Sequence, residues 1–332
     1  MSKRLRTLPP WVWYLGLFLL ALALPYLPGM NRPRTSVAVL AGIYVMLGLS
    51  LNIIVGYAGL FQLGHAAFYG LGAYTAAILN LTYGIPILWL IPVAALVAGL
   101  AAVLVSKPVI HLRGDYLCIV TIAFGEIFRL AVRNDIFGLT HGPNGLTGIS
   151  RPALPIAGDF GSDPRPYYYL VLFFIIITLF GIRRLENSRL GRAWLYVRED
   201  ELAAESMGIN TARVKLTAFA LGSAWAGVAG VLYASRFRVI APENFSFLES
   251  VIMFCIVVLG GSGSIPGILV GTAGMVVLPE VLRDAFPQFL DWRDGLIGAA
   301  MVIMMLLRPE GLLPSRRVGE ELAAEAERPS SA

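Results

Sequence analysis

Apolar runs long enough to cross a lipid bilayer recur along almost the whole chain, separated by short clusters of Gly, Pro and charged residues. A helix rises about 1.5 Å per residue, so about 20 apolar residues cover the hydrocarbon layer, roughly 30 Å thick. Run length and punctuation predict ten such helices, at approximately 11–28, 36–56, 60–82, 86–106, 114–132, 167–182, 214–235, 248–262, 265–284 and 291–307. Two connections stand out. Tyr57-Ala58-Gly59 is very short, and Gly260-Gly261-Ser262-Gly263-Ser264 interrupts what is otherwise one long run. A broken or re-entrant helix is expected at either place, which a membrane protein tolerates only where the backbone faces protein or a water-filled path.

Composition sharpens this reading. The chain is 57% hydrophobic and 14% charged, with mean hydropathy +0.72. A soluble domain is about 25% charged. From Thr35 through Ser106 there is no Asp, Glu, Lys or Arg. A soluble enzyme, a disordered chain and a disulfide scaffold are excluded, and the fold class is an all-α, polytopic membrane protein of about ten transmembrane helices.

Charge placement gives an orientation. With the N-terminus inside and ten alternating spans, sixteen of the 26 Lys and Arg residues fall on the inner side. Residues 1–10 are then a cytoplasmic N-terminus, 11–312 a transmembrane domain and 313–332 a polar cytoplasmic tail. A long loop near 133–166 faces outside, and another near 183–213 faces the cytoplasm. Lys3, Arg4 and Arg6 precede the first apolar run, and Ala21-Leu22-Ala23 imitates a cleavage site. The segment reads as an uncleaved signal anchor, because the chain keeps crossing afterwards.

Candidate chemistry is sparse. Cys118 and Cys255 sit inside apolar runs, and His65, His111 and His141 are far apart, so neither a disulfide framework nor a metal site is expected. Lys3, Lys107 and Lys215 are the three lysines, and none completes a G-x-x-x-x-G-K-[ST] loop, so this chain is not expected to bind ATP itself. Neither HExxH nor Gly-x-Ser-x-Gly is present, and no catalytic residue is expected.

The inner loop is the most informative segment. Ser188 suits the cap of a first short helix, Glu199 and Asp200 the start of a second, Gly208 the left-handed turn ending it, and Asn210 the cap of the next membrane helix. A compact helix-turn-helix against the membrane surface follows. Its small residues Ala203 and Ala204, beside mixed charge, allow another protein a close approach. The bland alternative is a loop that only reconnects two spans.

Within the spans, Glu126 and Arg129 lie three apart on one helical face. They either line a path or form a self-neutralising pair. Gln62, His65 and Asn52 are polar residues of the uncharged region, open to substrate or to inter-helix bonds. Gly263, Gly267 and Gly271 repeat every four positions, as do Ser223-xxx-Gly227 and Ala226-xxx-Gly230, which favours close helix packing, either within this chain or against a partner subunit.

Four segments carry a family resemblance. They are Leu63-Gly64-His65-Ala66-Ala67-Phe68-Tyr69-Gly70-Leu71-Gly72-Ala73-Tyr74-Thr75; Leu112-Arg113-Gly114-Asp115-Tyr116 with Thr121-Ile122-Ala123-Phe124-Gly125-Glu126-Ile127 and Asn134; Thr140-His141-Gly142-Pro143-Asn144-Gly145-Leu146-Thr147-Gly148-Ile149; and Leu259-Gly260-Gly261-Ser262-Gly263-Ser264-Ile265-Pro266-Gly267. In this order, over about residues 40–312, they resemble the LivM-type permeases of branched-chain amino-acid importers. The inner loop resembles the docking loop of ABC-importer permeases, with Glu201-Leu202-Ala203-Ala204 and Gly208 as an imperfect version of its motif. His141 stands where the family pattern usually has Gly.

The resemblance implies a permease of the bacterial inner membrane, both termini cytoplasmic, paired with a homologous second permease. Two ATPase subunits that bind the ATP would dock inside, and a soluble binding protein would deliver the amino acid outside. Membrane lipid surrounds such a subunit, and no nucleic acid is implied. Arg192, Arg198, Glu199, Asp200, Ala203, Ala204 and Gly208 would contact an ATPase, while Gln62, His65, Glu126 and Arg129 are candidates for the translocation path. Urea, short amides and other amino acids stay open as cargo. A secondary transporter or channel is the alternative of another class, against which the spans offer few acidic residues for proton relay.

Overall fold

A computed structural model describes residues 21–26, 31–112, 114–135, 138–152, 160, 163–285, 295, 298 and 311–313. Most of the expected first and tenth helices, of the signal anchor and of both termini lies outside the described residues; within the first, residues 21–26 are helical. Eight of the expected spans lie within them and are helical. They are α1 (Arg32–Asn52), extended by a π turn over Ile53–Tyr57; α2 (His65–Tyr83); α3 (Ile91–Val109), led in by a 3-10 turn at Ile87–Leu90; α4 (Asp115–Arg133); and α5 (Arg165–Glu186). Two short helices follow, α6 (Arg189–Glu199) and α7 (Glu201–Ser206). Then come α8 (Thr211–Phe237), α9 (Phe247–Gly260), α10 (Ile265–Thr272) with a π turn over Ala273–Val277, and α11 (Leu278–Ala285). Among the described residues, five helical stretches are long and apolar enough to cross a membrane.

Helix α8 is the central post. It is rich in Gly and Ala around its circumference, so neighbours reach its backbone from several sides. A side chain at Gly222 would strike Ile54 and the Ser50 carbonyl of α1. One at Gly227 would lie 2.8 Å from Ala98 Cβ of α3, and one at Gly230 would strike the Tyr69 carbonyl of α2. The Ser223/Gly227 and Ala226/Gly230 repeats therefore pack inside this chain. So do Gly267 and Gly271: a side chain at either would strike the backbone of α9, at Gly260 and Ile256. Gly263 serves differently, turning the chain at φ +80° between α9 and α10.

At one end of the bundle Leu146–Thr147 (β1) pairs antiparallel with Val239–Ile240 (β2). We refer to this as the strand end. Arg238 leaves α8 at φ +61° and donates from Nε to the Ile149 carbonyl at 2.9 Å, and the Asn80 side chain holds Ser150 by two bonds. His141 has φ +55°. A β-carbon is strained there and glycine is not. His141→Gly is expected to raise the melting temperature of the purified permease by a few degrees, equivalent to about 0.5–1 kcal/mol; an unchanged or lower value counts against strain at this turn.

The opposite end carries α6 and α7. The two breaks anticipated from sequence take definite forms. Residues 58–64 are irregular, so α2 begins at His65 rather than near 60. The turn at 261–264 reaches α1, where Asn52 Oδ1 accepts from Gly263 N at 2.8 Å.

Candidate functional site

The first site is the loop end. Ser188 caps α6, its hydroxyl accepting from Gly191 N at 3.2 Å. Asp200 caps α7, accepting from Leu202 N at 2.9 Å and Ala203 N at 3.0 Å. Gly208 stands at φ +82°, and Ile209 N returns to the Ala204 carbonyl at 3.0 Å, a Schellman ending. Asn210 caps α8 by accepting from Arg213 N at 2.9 Å. Glu199 differs from expectation: it closes α6 instead of opening α7, because Asp200 holds the extended cap conformation between them.

Three contacts fasten this loop to the membrane helices. Trp194, 1% exposed, donates from Nε1 to the Val214 carbonyl and Thr217 Oγ1 of α8 at 3.0 and 3.1 Å. Lys215, also in α8 and buried, pairs with Glu201 at 2.5 Å. Arg198 turns inward, its guanidinium donating to the Gly56 carbonyl in the π turn of α1 and its stem lying over Gly59. Those carbonyls end a helix and carry its negative pole, so a cation belongs there.

The loop's outward surface is therefore not the whole set read from sequence. Arg192, Glu199, Asp200, Ala203 and Gly208 are exposed, whereas Ala204 is buried under α7 and Arg198 is engaged with α1. Sequence reasoning missed the apolar residues that crown the loop: Leu202 is 63% and Met207 79% exposed. Beside them a groove of about 400 Å³ opens between α6–α7 and residues 58–61, Leu112, Gly114 and Leu117.

The second site lies deeper. Residues 62–66 thread between α1, α4 and α9, with two of their backbone amides and one ring nitrogen of His65 held by hydroxyls. Leu63 N donates to Thr121 Oγ1 at 3.2 Å and Ala66 N to Ser250 Oγ at 2.9 Å. Ser50 donates to the Leu47 carbonyl, so its 2.8 Å contact with His65 uses the Nε2 proton of the ring. That leaves His65 Nδ1 as a buried acceptor, and neither it nor either amide atom of Gln62 has a hydrogen-bond partner among the described residues. Ser50 precedes Tyr57, the last residue of the π turn that extends α1, by seven residues, which puts this break roughly 10 Å inside the loop end. Glu126 and Arg129 do not join it. They bond each other, Arg129 reaching Glu126 Oε2 at 2.7 Å from Nη2 and 2.9 Å from Nε, on the partly exposed side of α4.

One more residue escaped the sequence reading. Glu249, near the start of α9, accepts from the Tyr44 hydroxyl of α1 at 2.5 Å. The only available signal was a lone acid at the edge of a span. Among the described residues no group of His, Cys, Asp and Glu is arranged to hold a metal ion.

Comparison with known proteins assigns this geometry a family. Residues 34–305 match the family described as branched-chain amino acid transport system / permease component. The chain is 41% identical to the high-affinity branched-chain amino acid transport system permease protein LivM of Escherichia coli K12, over 92% of this chain and 75% of that protein. The LivM of Salmonella typhimurium is 40% identical over the same shares. The permease LivH of Escherichia coli K12 is 36% identical over 43% of this chain and 44% of its own length. No solved structure matches.

Proposed function

This chain belongs to the family of branched-chain amino acid transport permeases, and from that premise we propose how it works as the LivM-type subunit of an ABC importer for leucine, isoleucine and valine. It is a multi-pass inner-membrane protein that acts beside a second, homologous permease of the LivH kind. The loop end faces the cytoplasm and the strand end faces outside, with both termini cytoplasmic. Two separate ATPase subunits bind the ATP and dock on the loop end; a soluble binding protein delivers the amino acid to the strand end.

The observation that carries this reading is the fastening of α6–α7 to two membrane helices beneath an exposed apolar tip. An ATPase seats on Leu202, Met207 and Ala203, with Arg192, Glu199, Asp200 and Gly208 around them. Its closure on ATP displaces the loop, and the Arg198–Gly56, Trp194–Val214 and Lys215–Glu201 contacts carry the displacement into α1 and α8. Only a difference in ATP affinity between the two arrangements can drive the shift. The path runs past Gln62 and His65, whose unpartnered atoms suit transient hydrogen bonds, and along the α4 face that bears Glu126 and Arg129.

Reconstitution in liposomes with the second permease, the ATPases and the binding protein tests this directly. ATP-dependent leucine uptake requiring every component is expected. Uptake of urea but not leucine would remove the substrate, and uptake by this chain alone without ATP would replace the class with a secondary transporter.

The docking surface has its own test. A β-carbon at Gly208 meets nothing within 4 Å, so Gly208→Val acts only through the backbone. A β-branched residue at φ +82° is strained by about 1–3 kcal/mol and loosens the turn. The variant is expected to fold and to co-purify with several-fold less ATPase; wild-type recovery would move the contact elsewhere.

A further inference from the structure

We propose that Glu249, with the Tyr44 hydroxyl and the rings of Tyr69 and Tyr233, is the station inside the membrane bundle that takes the α-ammonium group of the transported amino acid. The proposal rests on the import reading above and names the part of the substrate that this chain recognises.

An ionised side chain inside a membrane bundle is expensive unless a counter-charge or a functional ligand compensates it. Glu249 is half-buried among α1, α2, α8 and α9, and its one described hydrogen bond comes from a neutral hydroxyl, Tyr44. The ion pairs among the described residues are Glu126–Arg129, Asp163–Arg165 and Glu201–Lys215, so no described Lys or Arg neutralises it. Arg236, a turn further along α8 from Tyr233, donates instead to Ser36 Oγ at 2.9 Å and lies over the Tyr167 ring. Among the described residues its charge is compensated only by that hydroxyl and by the positive amide pole of α9, whose first turn it occupies; the full counter-charge is left to a mobile cation.

The surroundings fit an organic ammonium group. Ala66 N bonds Ser250 Oγ at 2.9 Å, which sets the first turn of α2, with Tyr69, beside the first turn of α9 that bears Glu249; the Tyr69 and Tyr233 ring centroids are 5.5 Å apart, and Phe245 stands 5.0 Å from Tyr69 and 6.4 Å from Tyr233. Aromatic faces attract an ammonium group and offer apolar surface to an aliphatic side chain. A carboxylate beside such faces favours a cation that carries hydrocarbon, which describes a branched-chain amino acid. The position also suits a path. Ser250, the next residue, accepts from Ala66 N, so Glu249 adjoins the break that holds Gln62 and His65. Tyr44 and Tyr233 are both partly exposed.

The test uses the whole reconstituted transporter. Glu249→Gln keeps the shape and the Tyr44 bond and removes the charge. It is expected to lower leucine uptake at least about tenfold, while ATPase activity stimulated by the binding protein stays within about twofold of wild type. Glu249→Asp is expected to restore a substantial part of uptake. In detergent, without the binding protein, millimolar leucine should raise the melting temperature of the wild-type complex but not of Glu249→Gln. In contrast, 4-methylpentanoate, which keeps the side chain and carboxylate and lacks the ammonium group, should protect neither.

Wild-type uptake by Glu249→Gln, or equal protection by 4-methylpentanoate, overturns the proposal. If Glu249→Gln instead loses ATPase activity and thermal stability together, Tyr44→Phe decides. A several-fold fall in uptake with ATPase retained supports the station, and unaltered uptake rejects it. A wild-type complex that takes up no leucine at all is a different failure, that of the import reading.

Discussion

Gly72→Leu and Gly230→Val are each expected to prevent the permease from being recovered as a folded protein. The reason is where their β-carbons must go. At Gly72 a β-carbon would overlap the backbone of Gly227, and at Gly230 it would overlap the Tyr69 carbonyl and lie 2.7 Å from Ala73 N. These are main-chain atoms of helices, which cannot swing aside as a side-chain tip can. Separating α2 from α8 also unseats α3, because Gly227 packs on Ala94 and Ala98 at the same level. Overpacking in a well-fitted core costs about 1–3 kcal/mol when side chains can adjust, and more when only backbone can move. The slightly better helix propensity of Leu, up to about 1 kcal/mol over Gly, does not offset that. The check is the monodisperse fraction and melting temperature after detergent extraction. Gly99→Ala is the control: its nearest neighbours would be the Ala220 carbonyl at 3.2 Å and Ala224 Cβ at 3.4 Å. That change is expected to shift stability by less than about 1 kcal/mol. Equal loss in all three variants would mean that close approach along α8 is not what holds the bundle.

Those same glycines show what could be read from the sequence and what could not. Run length found the spans because bilayer thickness fixes helix length, a local property. Small residues four apart in α8 pointed to close packing for the same reason. The identity of the neighbour was not legible: nothing local pairs Gly72 with Gly227 or Gly263 with Asn52, positions far apart in the chain. The caps behaved likewise. Ser188, Asn210 and the left-handed Gly208 act on backbone within three residues of themselves, and the sequence placed all three. Glu199 was misplaced by one helix because two acidic residues in a row leave open which of them caps. Arg198 read as an outward charge because its partner, a backbone carbonyl in a π turn, has no side-chain signature. Ala204 read as exposed because a two-turn helix has too short a period to show its buried face. Glu249 was passed over as a residue at the edge of a span; only the arrival of Tyr44 and the tyrosines of α2 and α8 gives it surroundings.

Arg198→Ala is expected to separate ATP hydrolysis from transport. In the wild type, the guanidinium holds the Gly56 carbonyl at the end of α1, and the aliphatic stem covers Gly59. A hydrogen bond from a charged group contributes about 1.5–3 kcal/mol, and alanine removes it along with the stem packing. Trp194 and the Lys215–Glu201 pair still fasten the loop to α8. The loop therefore stays folded, and its exposed crown of Leu202 and Met207 is untouched. ATPase docking and basal hydrolysis should survive. What is lost is the direct link from α6 to α1, the helix whose Ser50 and Asn52 bond His65 and the 261–264 turn. Weakening that link by 1.5–3 kcal/mol corresponds to roughly a ten- to hundredfold loss of coupling, at about 1.4 kcal/mol per factor of ten. Leucine moved per ATP hydrolysed is the quantity to measure. Arg198→Lys should recover part of the coupling, since its amine can also donate to the single Gly56 carbonyl at the negative pole of the helix. A variant that loses ATPase binding in step with transport would make Arg198 part of the docking surface itself. An unchanged transport ratio would leave α8 alone to carry the motion.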